Sequence, residues 1–261
     1  MNAGAPRLSV VVITLNEAHN IRACLESVRW VDEIVILDGG SSDETIEICR
    51  EFTDKVFVDP DWRGFGVQKN RVLARATGDW VLSLDADERV SAALHDEILA
   101  TVRAPGAREA FAIPRRSSYC GRFMRHGGWW PDYVTRLFRR EVARFSDDLV
   151  HERVVHPGVA GRLQAPLEHI TYRNLEQMLG KLNHYSSAGA ANLATKGRRG
   201  GLGRALGHGL WMFLRTYLLR GGFLDGREGF MLAVSNAETT YYRYLKLMYL
   251  ERETGGPAPP A

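Results

Sequence analysis

Two acidic residues close an otherwise apolar run, Trp80-Val81-Leu82-Ser83-Leu84-Asp85-Ala86-Asp87-Glu88. Along an extended chain side chains alternate faces, so Asp85 and Asp87 project to the same side. Asp and Glu form strands poorly, so the strand is expected to stop there. Ligands of open α/β sheets bind beyond the carboxyl ends of the strands, where this pair would stand. Hard oxygen ligands in such a place suit Mg²⁺ or Mn²⁺ carrying a diphosphate. A solvated acidic turn would spell the same letters, so the rest of the chain has to decide.

Three further stretches carry reactive side chains. Asp38 ends a second apolar run, Glu33 to Leu37, and precedes Gly39-Gly40-Ser41-Ser42-Asp43. Gly127-Gly128-Trp129-Trp130-Pro131-Asp132 offers aromatic faces that could stack on sugar rings, with core packing as the competing use. Phe145-Ser146-Asp147-Asp148-Leu149-Val150-His151-Glu152 gathers three carboxylates around an imidazole.

Hydrophobic periodicity supplies the elements that must position these residues. Leu8 to Leu15 is almost wholly apolar, as expected of a central strand buried on both faces. Ile21, Leu25 and Val28 then mark a helix capped by Asn16 or Asn20. Strands follow at Glu33 to Leu37 and Lys55 to Val58, with a helix between them carrying Ile46, Ile48, Cys49 and Phe52. A loop-to-helix segment runs from Gly64 to Ala76 and is stopped by Gly78. The first 90 residues thus read β-α-β-α-β-α-β, which implies parallel strands joined by right-handed crossovers. Neither a Gly-x-Gly-x-x-Gly after the first strand nor a P-loop occurs, which argues against a dinucleotide or ATPase site. A Ser-capped helix is expected at Ser91 to Val102 and strands at Ala110 to Ile113 and Tyr133 to Phe138. From Asn174 the strand signal gives way to helices at Leu175 to Ala194, Leu202 to Leu219 and Gly226 to Leu250.

Composition narrows the class. The chain has 261 residues, 45% hydrophobic and 25% charged, enough for a large α/β core. A net charge of +3 is too small to imply nucleic acid. Cys24, Cys49 and Cys120 lack metal spacing and fit free thiols in a reducing cytosol. Met1 to Arg7 lacks the apolar core of a signal peptide, and no apolar run reaches the roughly 18 residues of a membrane span. The Gly- and Pro-rich stretch 255–261 is expected to be disordered.

Thr14-Leu15-Asn16-Glu17, Asp38-Gly39-Gly40-Ser41-Ser42-Asp43, Lys69-Asn70, Gly78-Asp79-Trp80 and Leu84-Asp85-Ala86-Asp87-Glu88 resemble, in order and spacing, the motifs of inverting family 2 glycosyltransferases. The likeness covers roughly residues 8 to 160 and, more loosely, the rest. It implies an α/β GT-A fold, with a mostly parallel central sheet flanked by helices and a C-terminal helical appendage. On that plan residues 1–172 form the nucleotide-sugar-binding and catalytic domain, 173–254 a helical region and 255–261 a tail.

The resemblance also assigns roles. Thr14, Asn16 and Glu17 fall near the nucleotide, although Glu17 could equally serve first-turn electrostatics of its helix. Asp38 is expected to receive the base; an ionised Asp only accepts, and uracil offers an N3–H that cytosine lacks, favouring UDP over CDP. Lys69 and Arg71 could reach the diphosphate. Asp85 would touch the ribose or the metal, and Asp87 would ligate Mg²⁺ or Mn²⁺ directly. An inverting transfer needs a general base on the acceptor side of the sugar. Glu152 is the first choice, with Asp148 and Asp147 behind it. The Val150-His151-Glu152 segment resembles an element of the lipopolysaccharide-core β-glucosyltransferase branch, which shares the Gly-Gly-Trp-aromatic-Pro-Asp run. Other members use an Asp from a Glu-Asp pair, and none occurs here. Trp129, Trp130, Asp132 and Arg136 are the acceptor-binding candidates, with Gly127 to Asp132 as a closing loop.

The expected activity is therefore an inverting, metal-dependent transfer of a hexose, glucose first, from a UDP-sugar to a lipopolysaccharide inner-core sugar, heptose first. Polyprenyl phosphate as acceptor and a non-catalytic sugar-nucleotide-binding module are the alternatives. A nucleotidyltransferase fits less well, because no Gly- and Arg-rich loop follows Leu8 to Leu15. Between Lys196 and Asp225 six Lys/Arg face one acid and interleave with residues such as Leu210, Trp211 and Phe213. That mixture suits a helix lying among anionic headgroups, with a core-packing hairpin as the alternative. The Gly221-to-Gly226 stretch resembles an element of lipid-linked and lipopolysaccharide branches of the family. A lipid-linked saccharide acceptor, peripheral contact with the inner face of the cytoplasmic membrane and no nucleic acid complete the expectation.

Overall fold

The computed structural model describes residues 5–104, 106, 108–146 and 152–253. Asp147, Asp148, His151 and the 255–261 tail lie outside the described residues. In chain order the first elements are β1 (Leu8–Thr14), α1 (Ala18–Glu26), β2 (Glu33–Asp38), α2 (Thr45–Arg50), β3 (Val56–Val58), α3 (Phe65–Leu73), β4 (Trp80–Asp85), β5 (Glu88–Val90) and α4 (Ala92–Arg103). There follow β6 (Ala110–Tyr119), β7 (Arg122–Phe123), β8 (Asp132–Arg139), β9 (Arg144–Phe145), β10 (Val154–Val155), β11 (Gly161–Arg162) and β12 (Leu167–Tyr172). The chain closes with α5 (Leu175–Thr195), α6 (Leu202–Leu214) and α7 (Gly226–Glu253).

The main sheet runs β3-β2-β1-β4-β8-β6-β12-β5. β1 pairs in parallel with both β2 and β4, and β2 with β3, as the βαβ pattern implies. The later strands β8 and β6 join antiparallel, so the sheet is parallel on one side and mixed on the other. Alternate residues of β1 feed opposite faces: Val10 and Val12 pack with Ile21, Leu25 and Leu82, whereas Val11 packs with Val72, Val81 and Phe138. Burial on both faces is why the run is continuously apolar instead of alternating. This is the GT-A architecture, its carboxyl edge fixed by register: Thr14 stands opposite Asp38, and Ile13 opposite Asp85.

Local chemistry explains several boundaries. Ser91 caps α4, its hydroxyl accepting from the Leu94 amide at 3.3 Å. Helix α3 ends at Leu73 instead of running to Ala76, and Gly78 meets a different need. A Cβ on Gly78 would lie 2.6 Å from Ser9 Oγ, so a side chain there would collide with β1.

Two compact units divide the chain: Met1–Arg116 with Asp132–His169, and Ser117–Pro131 with Ile170–Ala261. The second unit therefore takes residues 117–131 as well as the expected helices. In it α7 packs along both α5 and α6. The helix expected over Leu202 to Leu219 changes winding after Leu214, where Arg215–Leu219 forms a π turn. A 3₁₀ turn, Gly222–Asp225, then leads into α7. That turn lies backbone to backbone on α7: a Cβ on Gly229 would sit 1.8 Å from the Gly222 carbonyl oxygen. Asp225 accepts from the amides of Arg125 and His126 at 3.0 and 2.7 Å, and Gly127 donates to the Arg220 carbonyl at 2.9 Å. Tyr119, Met124, Met178, Leu182 and Leu232 form this unit's own apolar cluster. Among the described residues no helix is long and apolar enough to cross a membrane.

Candidate active site

The carboxyl edge of β1, β2 and β4 carries carboxylates in three different settings. Asp38 is wholly buried. One oxygen accepts from the amides of Gly40 and Ser41 at 2.8 and 2.7 Å, and the other from the hydroxyls of Thr14 and Ser41 at 2.7 and 2.6 Å. Four donors fill its acceptor capacity, so nothing remains for a uracil N3–H. Asp38, expected to receive the base, instead ties the loop after β2 to β1. Asn16 completes that clasp. Its backbone is left-handed (φ 55°), which Asn tolerates, and its side-chain Oδ1 accepts from the Ser42 amide at 2.8 Å. Thr14 and Asn16 thus build the loops of the edge.

Asp85 stands among cations. Lys69, 2% exposed, donates to it at 2.8 Å, and Arg136, 4% exposed, reaches its other oxygen. Arg136 also donates to buried Glu88 at 2.6 Å, and Lys69 pairs with Glu152 at 2.7 Å. Burial opposes the ionisation of Asp85, but the charges of Arg136 and Lys69 outweigh it and hold the carboxyl far below the usual range. Burial likewise opposes the charge of Arg136, and Asp85 and Glu88 more than restore it. The expectation that Asp85 shares a metal with Asp87 therefore fails sterically and electrostatically, since a divalent cation would have to displace two buried cations. Arg136, expected to face the acceptor, is corrected in the same way. Its guanidinium is spent under the aspartate motif, where an unpaired charge would be costly.

Asp87 is the contrasting case. Its Oδ2 lies 3.3 Å from His169 Nε2, and among the described residues it pairs with His169 alone. Both side chains are partly accessible, at 18% and 13%. A carboxylate and an imidazole at this spacing could hold Mg²⁺ or Mn²⁺ together, leaving further coordination positions to diphosphate oxygens and water. His169 was not legible as a partner of Asp87. It reaches this position because β12 pairs antiparallel with β5, setting His169 opposite Glu88, the residue after Asp87. The one sequence signal was a histidine in an otherwise strand-like segment, Leu167-Glu168-His169-Ile170-Thr171-Tyr172.

Glu152 is half-buried at 15% side-chain exposure, and among the described residues Lys69 is its ion-pair partner. It thus joins the Asp85 cluster from a distant segment of the chain. Asp148 and Asp147, the second choices, lie outside the described residues. Arg71 pairs with Asp59 and Asp61, both at 3.0 Å, and donates to the Asp61 carbonyl. That triple engagement leaves it bracing the segment before α3, not waiting for a diphosphate. Glu17 accepts from Asn20 at 2.8 Å, which is first-turn helix chemistry. Asp132 binds Arg115 through Nε and NH2 at 3.1 and 2.7 Å, and Arg115 approaches Glu88 at 3.8 Å. Trp129 and Trp130 belong to the second unit, where Trp129 packs against Tyr119 and Tyr172 with ring centroids 6.1 and 6.0 Å apart.

Comparisons with known proteins identify the family of the chain. Residues 9–171 match the family described as Glycosyl transferase family 2. The chain is 29% identical over 253 residues to an uncharacterized glycosyltransferase of Rickettsia prowazekii (strain Madrid E), covering 92% of this chain and 86% of that one. It is also 29% identical over 251 residues to the lipopolysaccharide core biosynthesis glycosyltransferase LpsC of Rhizobium meliloti (strain 1021), covering 92% and 91%. Among solved structures it is similar to S. aureus TarS at 18% identity, with a TM-score of 0.45 over 69% of this chain and 39% of that one. That likeness is too partial to transfer residue roles.

Proposed function

This chain belongs to glycosyl transferase family 2, and we propose that it moves a hexose, glucose first, from a UDP-sugar to an inner-core sugar of a lipopolysaccharide, heptose first, with inversion. The observation that carries the reading is the division of labour at the sheet edge. Asp87 and His169 stand apart from the cation-filled cluster, while Glu152 joins that cluster through Lys69. Glu152 accepts the proton of the acceptor hydroxyl as its oxygen attacks the anomeric carbon and the bond to the nucleoside diphosphate breaks. Lys69 orients Glu152 and, with Arg136, keeps the neighbouring acids from repelling the diphosphate. A divalent cation held by Asp87 and His169 would stabilise negative charge on the departing diphosphate.

The LpsC relative supports a lipopolysaccharide-core acceptor, since it matches over nearly the whole of both chains. The preference for UDP rests on family resemblance, because Asp38 has no free acceptor for the base. The catalytic work belongs to the first unit. The second, with its exposed apolar and basic residues, brings the enzyme to a lipid-borne acceptor at the inner face of the cytoplasmic membrane.

Calorimetric titration of UDP-sugars with Mn²⁺ or Mg²⁺ tests the donor, and transfer of labelled sugar to purified core saccharide tests the acceptor. Binding of UDP-glucose and labelling of a heptose-containing core are expected. Refusal of every UDP-sugar would overturn the donor assignment. Label appearing on polyprenyl phosphate alone would replace the acceptor.

A further inference from the structure

The second unit contains a cavity of about 580 Å³ where α5 turns into α6, lined by Leu193, Arg198, Arg199, Arg204, His208 and Tyr244. The active site uses none of these residues. Among the described residues no carboxylate forms an ion pair with the three arginines, and Glu251, at the same turn, is engaged by the Gly200 amide at 3.0 Å. The His208 ring lies flat on Tyr244, with centroids 4.4 Å apart and planes 5° from parallel. Helix α6 starts beside them without a side-chain cap, so its first-turn amides add to the positive field. Glycines shape the turn. Gly197 and Gly201 have positive φ (64° and 135°), which side-chain-bearing residues rarely adopt, and a Cβ on Gly200 would meet the Met248 backbone nitrogen at 2.2 Å.

The outer side of α6 continues the pattern. At 100° per residue, Leu202, Leu206 and Leu210 fall together, Gly203 and Gly207 form the crest and Trp211 the far side. The four large residues are 54–62% exposed. This arc spans roughly half the helix circumference without a charge, and Arg204 and His208 stand at its rim. A soluble partner surface seldom combines so many exposed apolar side chains with arginines that no carboxylate among the described residues neutralises. An anionic leaflet accepts both at once, the apolar arc at the acyl boundary and the guanidiniums at phosphate level.

We propose that the α5–α6 turn is a headgroup site in which Arg198, Arg199 and Arg204 clasp the phosphodiester of an anionic lipid while α6 lies in the membrane interface. The site rests on the reading that the enzyme works on a lipid-borne acceptor, but not on which nucleotide sugar it uses. Phosphate oxygens take the fork of each guanidinium, and the glycine crest lets the α6 backbone approach the headgroups closely.

Flotation of the full chain with vesicles tests it. Binding is expected to phosphatidylglycerol-containing vesicles and not to phosphatidylcholine alone. The triple variant Arg198→Ala, Arg199→Ala, Arg204→Ala is expected to lose on the order of 100-fold in partitioning, and the triple lysine variant, which keeps the charge but not the guanidinium fork, to recover only part of it. Arg204 also donates to the carbonyls of Arg199 and Gly200 at 3.2 and 3.1 Å. Arg198→Glu with Arg199→Glu therefore serves if the triple variant unfolds, with an equal or greater loss expected. Equal flotation of parent and variants would overturn the site while leaving the membrane reading in place. Absence of parent flotation with every vesicle would overturn both. Displacement by soluble glycerol phosphate at low concentration would overturn the lipid as its ligand. UDP-sugar titrations of the same variants are expected to match the parent, which keeps this test separate from that of the donor.

Discussion

Asp38 and Asp87 both stand at the carboxyl ends of parallel strands, yet their surroundings are opposite in kind. Asp38 is closed off by four neutral donors, three of them within three residues of it and the fourth from β1. Asp87 looks out of its loop toward one imidazole. Between them Asp85 is saturated by charge instead of by amides. Location at a ligand-binding edge therefore does not make a carboxylate a ligand. What decides is how much of its acceptor capacity the protein has already used.

The sharpest way to break this contrast is Asp87→Ala. We expect sugar transfer to fall by about 10³-fold or more with the unfolding midpoint near that of the parent, because no buried donor is orphaned. A comparable loss from stability alone would erase the distinction from Asp38. Glu152→Gln should lower kcat by about 10²-fold, with UDP-sugar titrations unchanged. A variant that still transfers sugar at the parent rate would remove Glu152 as the base. Asp38→Ala should act on stability first, costing about 2 kcal/mol in denaturant unfolding as buried donors lose their acceptor. Unaltered stability with lost donor binding would return Asp38 to the nucleotide.

The smallest effect comes from the other end of β2. Burial opposes the ionisation of Glu33, but Lys55, Ser9 and Thr77 hold its carboxyl at about 2, below the ordinary 4.5. Because the folded value is depressed, its contribution to stability is complete above pH 4.5 and drains away as pH falls toward 2. Urea unfolding across that window should show a shallower acid slope for Glu33→Gln than for the parent. Identical slopes would mean that the carboxyl is not held by its neighbours.

Much of the architecture was legible because burial writes itself into periodicity. The runs ending at Thr14, Asp38 and Asp85 became strands within a residue or so of their expected limits, as did α5, while α7 starts where expected and runs three residues further, to Glu253. The site was legible only where its residues are neighbours in sequence. Asp87 could be singled out, but His169 arrives through antiparallel pairing of β12 with β5, and Arg136 reaches Asp85 from β8, across 51 positions. Periodicity carries no signal for such register. The grouping of residues 117–131 with the helices escaped for the same reason, since Asp225 and Arg220 hold that stretch from about a hundred positions away.

The bare contact of Gly222 with Gly229 turns the usual logic of scanning mutagenesis around. Alanine scanning asks what a side chain contributes by deleting it, and here the contribution is an absence. Adding one methyl group would lever the 3₁₀ turn off α7 and swing Phe223 and Leu224, both exposed at its tip, to new positions. A chemically trivial addition at Gly229 would thus register as a severe lesion, and a comparison of chemical types alone would pass over it.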